Sequence, residues 1–227
     1  MIIAVFIASI VAFLSCVFAL SKSGRETLNN GIKIVLDAGH GGIDDGAVGT
    51  KLGLLESEVN LSIVNFLKEF LQDAGFSVHL TRSSSAGLYG IATSTLKKKD
   101  MEKRKEIIEK VKPEIVISVH LNKYSLPSRA GAQVFYKANS VSSEKLAMSI
   151  QSRFNEMEES LKNYSALKGD YFILNCTEYT SVLCECGFLS NEREERLLST
   201  EEYQRKIAYE IYSGVTGYLY ESAVKYF

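Results

Sequence analysis

Proline is nearly absent from this chain. Two prolines in 227 residues, beside sixteen glycines, argue against disorder or a long linker. Neither sign of charge is in excess, with 26 basic side chains against 27 acidic ones. A nucleic-acid partner demands a basic surface, so no nucleic acid is expected. There is no GK[ST] string and no G-x-G-x-x-G, which excludes the usual phosphate loops. Apolar residues make up 46% of the chain, enough for a full core. The length suits one large domain or two small ones.

Charge is missing altogether from the first twenty residues, MIIAVFIASIVAFLSCVFAL. As a helix, residues 2 to 20 reach about 28 Å, close to the hydrocarbon thickness of a bilayer. A core helix would carry a polar stripe, and this segment has none. Residues 1–20 are therefore expected to be a signal peptide or a membrane anchor. Val17 and Ala19 offer a small-residue cleavage site, but no basic region precedes the apolar run. Lys22 and Arg25 follow it, a slight bias toward retaining the C-terminal side in the cytoplasm. The expectation is export across the cytoplasmic membrane, secreted or membrane-anchored. The membrane would be a partner if the segment is uncleaved. Residues 21–31, SKSGRETLNNG, are polar and turn-rich and read as a linker.

Cysteine is scarce. Cys16 lies in the apolar leader, where Phe13 makes a poor lipidation context. Cys184 and Cys186 sit two apart in an expected strand. Same-face neighbours on one strand are about 6.6 Å apart, poor disulfide geometry. Both read as small buried hydrophobes.

Beyond residue 31, strands and helices alternate. IKIVL (32–36) begins as a buried strand and runs into a glycine loop. Residues 57–74 carry Val59, Ile63, Phe66 and Phe70 at helical spacing, with Gly75 as a C-cap. Residues 76–81 are a strand and 83–96 a surface loop. Residues 97–112 form an exposed helix with a thin apolar stripe of Met101, Ile108 and Val111, ended by Pro113. Its lysines read as a solvated face. Strands are expected at 115–119, 132–136, 171–174 and 181–185. Helices are expected at 141–160 and after Thr200. The strands are continuous apolar runs, which implies a single α/β domain over residues 32–222. Its sheet should be mainly parallel and twisted, with helices on both faces.

Histidine is rarer still, with three in the chain. His79 falls mid-strand and reads as structural. His40 lies in the loop after the first strand, and His120 directly follows Val119. Glu185 ends a later strand. In open α/β sheets, ligands gather beyond the carboxyl ends of the strands. Two imidazoles and a carboxylate would converge there. Glu56 lies three residues before Val59 and seven before Ile63, on the inward face of its helix. A lone inward carboxylate costs several kcal/mol unless it is paired or metal-bound. The alternative is a solvated carboxylate facing the helix macrodipole, which suits Glu58 well. The residues alone leave Glu56 between these readings. Two histidines and a glutamate make a catalytic zinc set with one position open. Glu185, outside that set, is then the candidate general base. Gly39, Gly41 and Gly42 allow a sharp turn around His40.

Taken in order, IVLDAGHGGIDDGAVG, LLESEVNLSI, VHLTR, IVISVHLN, GAQVFY and VLCECGFLSN resemble the zinc-dependent N-acetylmuramoyl-L-alanine amidases. The stretches cover nearly everything from Ile32 to Tyr220. The resemblance implies zinc (Zn2+) ligands at His40, Glu56 and His120, and a catalytic glutamate at Glu185. Residues 32–222 would then be the catalytic domain. The implied substrate is peptidoglycan, and the implied reaction hydrolyses the amide between N-acetylmuramic acid and L-alanine. Two departures stand out. Cys184 and Cys186 flank Glu185 where valine-like residues are usual, and three serines follow Arg82 where an aspartate often comes later. No long autoinhibitory insertion separates Glu56 from His120. The leader-plus-catalytic-domain build looks like the sporulation or germination-specific amidases of endospore formers. That implies action on cortex peptidoglycan ahead of muramic lactam formation, in the forespore intermembrane space. The competing expectations are a zinc peptidase cutting within the stem peptide and a regulatory peptidoglycan-binding protein. An accessory activator protein is a further expected partner.

Overall fold

The computed structural model describes residues 31–90 and 95–224. The expected leader and almost all of the expected linker lie outside the described residues. No described helix is long and apolar enough to cross a membrane.

The core is a six-stranded sheet in the order β2-β1-β3-β6-β4-β5. Its strands are β1 (Lys33–Ala38), β2 (Ser77–Leu80), β3 (Ile115–Asn122), β4 (Gln133–Lys137), β5 (Leu167–Gly169) and β6 (Thr180–Phe188). β2, β1, β3 and β6 run parallel, β4 is antiparallel to β6, and β5 is parallel to β4. The helices are α1 (Glu56–Asp73), α2 (Leu96–Val111), α3 (Val141–Glu156), α4 (Phe172–Asn175), α5 (Glu192–Leu198) and α6 (Glu201–Val224).

Side chains alternate across the sheet, and the two faces differ. Ile34, Leu36, Ile117, Val119, Val182 and Cys184 point to the larger core, shared with α1, α3 and α6. Val35, Val116 and Leu183 point to a smaller cluster with Ile108 of α2 and Ile173 and Leu174 of α4. Toward the strands' C-terminal halves, this second face turns polar. Asp37, Ser118, His120 and Glu185 follow the apolar residues there.

Local signals end and begin the helices. After α1, Gly75 takes φ 90°. Its N–H donates to the Gln72 carbonyl, and the Phe76 N–H donates to that of Leu71. This double closure satisfies carbonyls that the helix leaves free. Ser140 caps α3 through Ser143 N–H, and Asn191 caps α5 through Arg193 and Glu194 N–H. Thr200 accepts from Tyr203 N–H at the start of α6.

Several expectations need correction. Residues 171–174 form a helical turn, not a strand; the strand is Leu167–Gly169. A strand would send Ile173 and Leu174 to opposite faces, whereas both are buried in the second cluster and Phe172 is left 48% exposed. The helix from 141 stops at Glu156, because Met157 is extended. The helix around Lys97–Lys99 is not simply exposed: its inner face buries Asp100, Arg104 and Ile108. β3 and β6 do not stop at residues 119 and 185 but continue to Asn122 and Phe188. β3 and β6 extend together, since Asn122 pairs with Phe188 beyond a register shift after His120.

Candidate metal centre

The site is assembled on the polar end of the second sheet face. His120 and Glu185 are register partners on adjacent strands, so they lie on the sheet rather than beyond its edge. His40 comes from the loop after β1, and Glu56 is the first residue of α1. Gly39 precedes His40 because the imidazole of His120 packs against its Cα; a Cβ there would overlap the ring. His40 itself takes φ 61°, in the left-handed region that non-glycine residues rarely enter.

Glu56 is 3% exposed and lies at the centre. Its Oε1 is 3.2 Å from His40 Nε2 and 3.0 Å from His120 Nδ1. The same oxygen accepts from Leu121 N–H at 3.1 Å and from Asn60 Nδ2 at 3.3 Å. Oε2 accepts from Ala47 N–H at 2.7 Å. Burial alone would raise the pKa of this carboxyl. Its bonds to the two imidazoles outweigh that and hold it well below the usual carboxylate range. His40 behaves conversely: burial lowers its pKa, but Glu56 and then Asp44 raise it to about 9. Asp44 Oδ2 lies 2.9 Å from His40 Nδ1.

This arrangement has a chemical consequence. Both nitrogens of His40 face carboxylate oxygens, which cannot donate when ionised. Without another cation, the ring must carry protons on both nitrogens. A metal ion between His40, Glu56 and His120 would take the place of the inner proton. One ligand atom from each of the three residues lies within 4.8 Å of the others. The donor set of two imidazoles and one carboxylate suits zinc, and Asp44 is the outer carboxylate that such histidines commonly carry.

Glu185 lines the same cleft, a cavity of about 600 Å³. It is 8% exposed, and its Oε2 is buried without a hydrogen-bond partner. Burial pushes its pKa up to about 7, with His120 opposing and Glu56 assisting the rise. The cleft is also lined by Leu96, Lys97 and Met101 of α2 and by Tyr171 and Phe172.

The four residues singled out from the sequence thus meet in one cleft. His79 is not there; it sits in β2 and bonds Ser77 Oγ at 3.2 Å. Glu58 is exposed, as the macrodipole reading expects. Sequence reasoning missed Tyr89 and Arg104. Tyr89 lines the cleft and its hydroxyl accepts from Ile43 N–H at 2.7 Å. Arg104 is buried against Asp37, 2.6 Å away, and Asp100, also 2.6 Å away. Asp37 further accepts from Thr81 Oγ1 and Ser118 Oγ. Burial would raise the pKa of Asp37, but Arg104 and these hydroxyls lower it to about 2. Arg104 had a helical signal, since it lies three residues after Met101 and four before Ile108.

Comparison with known proteins agrees with this geometry. The family model described as N-acetylmuramoyl-L-alanine amidase matches residues 34–217. The germination-specific N-acetylmuramoyl-L-alanine amidase of Bacillus subtilis is 38% identical over 192 residues, covering 83% of this chain and 80% of that one. N-acetylmuramoyl-L-alanine amidase AmiA of Escherichia coli is 28% identical over 243 residues, covering 88% and 78%. Among solved structures, the CwlD amidase of Clostridioides difficile in complex with the GerS lipoprotein superposes with a TM-score of 0.80 at 37% identity. That match covers 83% of this chain and 98% of that one. With its α/β sheet, its cleft and a family match over most of its length, the chain belongs to the N-acetylmuramoyl-L-alanine amidases, enzymes of peptidoglycan hydrolysis.

Proposed function

We propose that the chain cleaves the amide between the lactyl group of N-acetylmuramic acid and L-alanine, with zinc held by His40, Glu56 and His120. The observation that carries this reading is the pair formed by a convergent three-residue donor set and an unpartnered buried carboxylate in one cleft. A bound zinc ion supplies Lewis acidity to a carbonyl and brings the pKa of water toward neutrality. Glu185 performs the proton work. As a carboxylate it accepts a proton from the attacking water, and as an acid it returns that proton to the leaving amine of L-alanine. A carboxyl with a pKa near 7 is suited to both directions at neutral pH. Asp44 holds the His40 ring through Nδ1, and Asn60 holds the Glu56 carboxylate.

The relatives support a narrower reading of the substrate setting. The Bacillus subtilis relative is named for germination. We extend that role to this chain, with spore cortex peptidoglycan as substrate and cleavage ahead of muramic lactam formation. The uncharged leader supports export, as a cleaved signal or an anchor, into the forespore intermembrane space. The Clostridioides difficile structure contains a lipoprotein partner. An accessory protein of that kind is the partner we expect here.

The test is product analysis of digested peptidoglycan with zinc-loaded protein. Released stem peptides beginning with L-alanine and lactyl-free-acid glycan are expected. Shortened peptides still attached to glycan would instead indicate a peptidase. Glu185→Gln should retain zinc and lose cleavage; normal cleavage by that variant would remove Glu185 from its assigned role.

A further inference from the structure

The loop that presents His40 has little regular structure of its own. Three consecutive carbonyls at its start are nevertheless engaged. Ala38 O accepts from Arg82 Nε at 2.9 Å and from Arg104 Nη1 at 2.7 Å. Gly39 O accepts from Arg82 Nη2 at 2.9 Å, and His40 O from Arg104 Nη2 at 2.7 Å. Three consecutive carbonyls are thus held by two guanidinium groups. Arg82 is 4% exposed and Arg104 is 1% exposed.

Arg82 reaches further. The Nη2 that binds Gly39 O also donates to Ser57 O at 2.8 Å. Ser57 directly follows Glu56, and Gly39 directly precedes His40. One nitrogen therefore ties the backbone beside one donor residue to the backbone beside another. Nη1 donates to Ser84 O at 2.9 Å, which completes a set of backbone acceptors. Arg104 anchors the opposite side. Its Nε is held by Asp100 on the same helix, and its Nη1 by Asp37 on β1.

Two guanidinium groups this close oppose each other, and burying each one is costly in solvation. Filling space does not require them. What they provide is a planar fork of donors at fixed angles, which a lysine ammonium cannot reproduce. His40 takes a left-handed φ of 61°, and the carbonyls on both sides of its Cα, Gly39 O and His40 O, are held by these donors.

We infer that Arg82 and Arg104 are positioning residues that preform the metal-binding geometry, by clamping the backbone around His40 and joining it to the start of α1. This inference rests on the zinc reading above. It assigns to neither arginine any contact with substrate or with the ion. Their effect passes through the orientation of His40 and Glu56.

The experiment is a zinc titration of chelator-stripped protein, by competition with a chromophoric chelator. Arg82→Lys and Arg104→Lys are compared with the parent protein and with Val215→Ala. Val215 lies in the core on the opposite sheet face, so its truncation lowers stability without touching the loop. All proteins are measured at a temperature where circular dichroism shows them folded. Each lysine variant should bind zinc roughly 10–100-fold more weakly, the range for groups that orient metal ligands. The zinc concentration for half-maximal turnover should rise by the same factor. Val215→Ala should bind like the parent. Lysine variants that melt earlier yet bind zinc within twofold of the parent would overturn the inference and leave the metal site intact. Equal weakening in Val215→Ala would overturn it as well. A parent protein that binds no zinc would sink the metal reading itself, and this inference with it. If a lysine variant does not fold, hydrogen exchange on the stripped parent gives the answer. The Gly39, Gly41 and Gly42 N–H groups donate to Val119, Asp44 and Ser85 carbonyls, and should be protected before zinc is added. Exchange at the rate of an open chain there would refute a preformed loop.

Discussion

In the metal-free protein, Glu185→Gln should raise stability above neutral pH while leaving it nearly unchanged at about pH 4. The folded state buries this carboxyl and raises its pKa from 4.5 to about 7. The native protein therefore holds a proton that the unfolded chain releases across that window. Stability is greatest below about pH 4.5, falls as pH rises through the window, and levels off above about pH 7. The rise corresponds to roughly 3 kcal/mol. Glutamine has the shape of the protonated acid and never ionises. It should recover most of that amount at about pH 8 and almost none at about pH 4. The assay is urea unfolding of chelator-treated protein from about pH 4 to about pH 8.5, with parent and variant in parallel. Other carboxyls titrate in both proteins and cancel in the difference. Restoring zinc should shrink the gain, because a nearby cation favours the ionised form of Glu185. A difference independent of pH would refute the reasoning, as would a variant less stable than the parent at about pH 8. Either result would mean that the carboxylate has a partner or water in solution and is not held at a cost. A gain in stability with a loss of activity is what a catalytic carboxylate buried without a hydrogen-bond partner should produce.

Three further perturbations test neighbouring parts of the argument. Asp44→Asn keeps the size of the side chain but removes the charge facing His40 Nδ1; zinc affinity measured by chelator competition should fall by roughly tenfold or more. Gly39→Ala should displace the His120 ring, since the new Cβ occupies its space, and isothermal titration should then show no tight zinc binding even though the fold persists. Asp37→Asn leaves Arg104 buried with Asp100 as its remaining carboxylate, and urea unfolding at about pH 7 should show a loss of roughly 3–5 kcal/mol. Asp37 also carries a pH signature. Its lowered pKa, about 2 against 3.8, supplies stability that is present above about pH 4 and lost as pH falls toward about 2. The parent should lose that contribution in acid, and the asparagine variant should show a shallower decline over the same range.

What could be read from the sequence divides along a physical line. Patterns of short period were legible. The alternation of buried strands and amphipathic helices led to an α/β sheet, and the inward side of α1 placed Glu56 where a carboxylate needs a partner. The ordered motifs then marked His40, Glu56, His120 and Glu185, which the fold brings to one cleft. The strand ends were less legible. β6 continues past Glu185, where Phe188 pairs with Asn122 of β3, and a strand's length depends on neighbours that its own residues do not name. The YFIL run misled for a related reason: four apolar residues suit a strand or a helical turn equally, and burial against α2 decided between them. Least legible of all was the support of the metal loop. Arg104 lies in a run of lysines and glutamates, where a charged residue ordinarily faces water. Its partner Asp37 is 67 positions away. Arg82 follows a strand by two residues, and its acceptors are backbone carbonyls, which are the same for every amino acid. Donor residues announce themselves through their side chains. The groups that hold those donors in place act on the backbone across long stretches of chain, so only the fold reveals them. The two buried arginines belong to that second kind, and substitutions there should cost metal affinity without altering a single ligand.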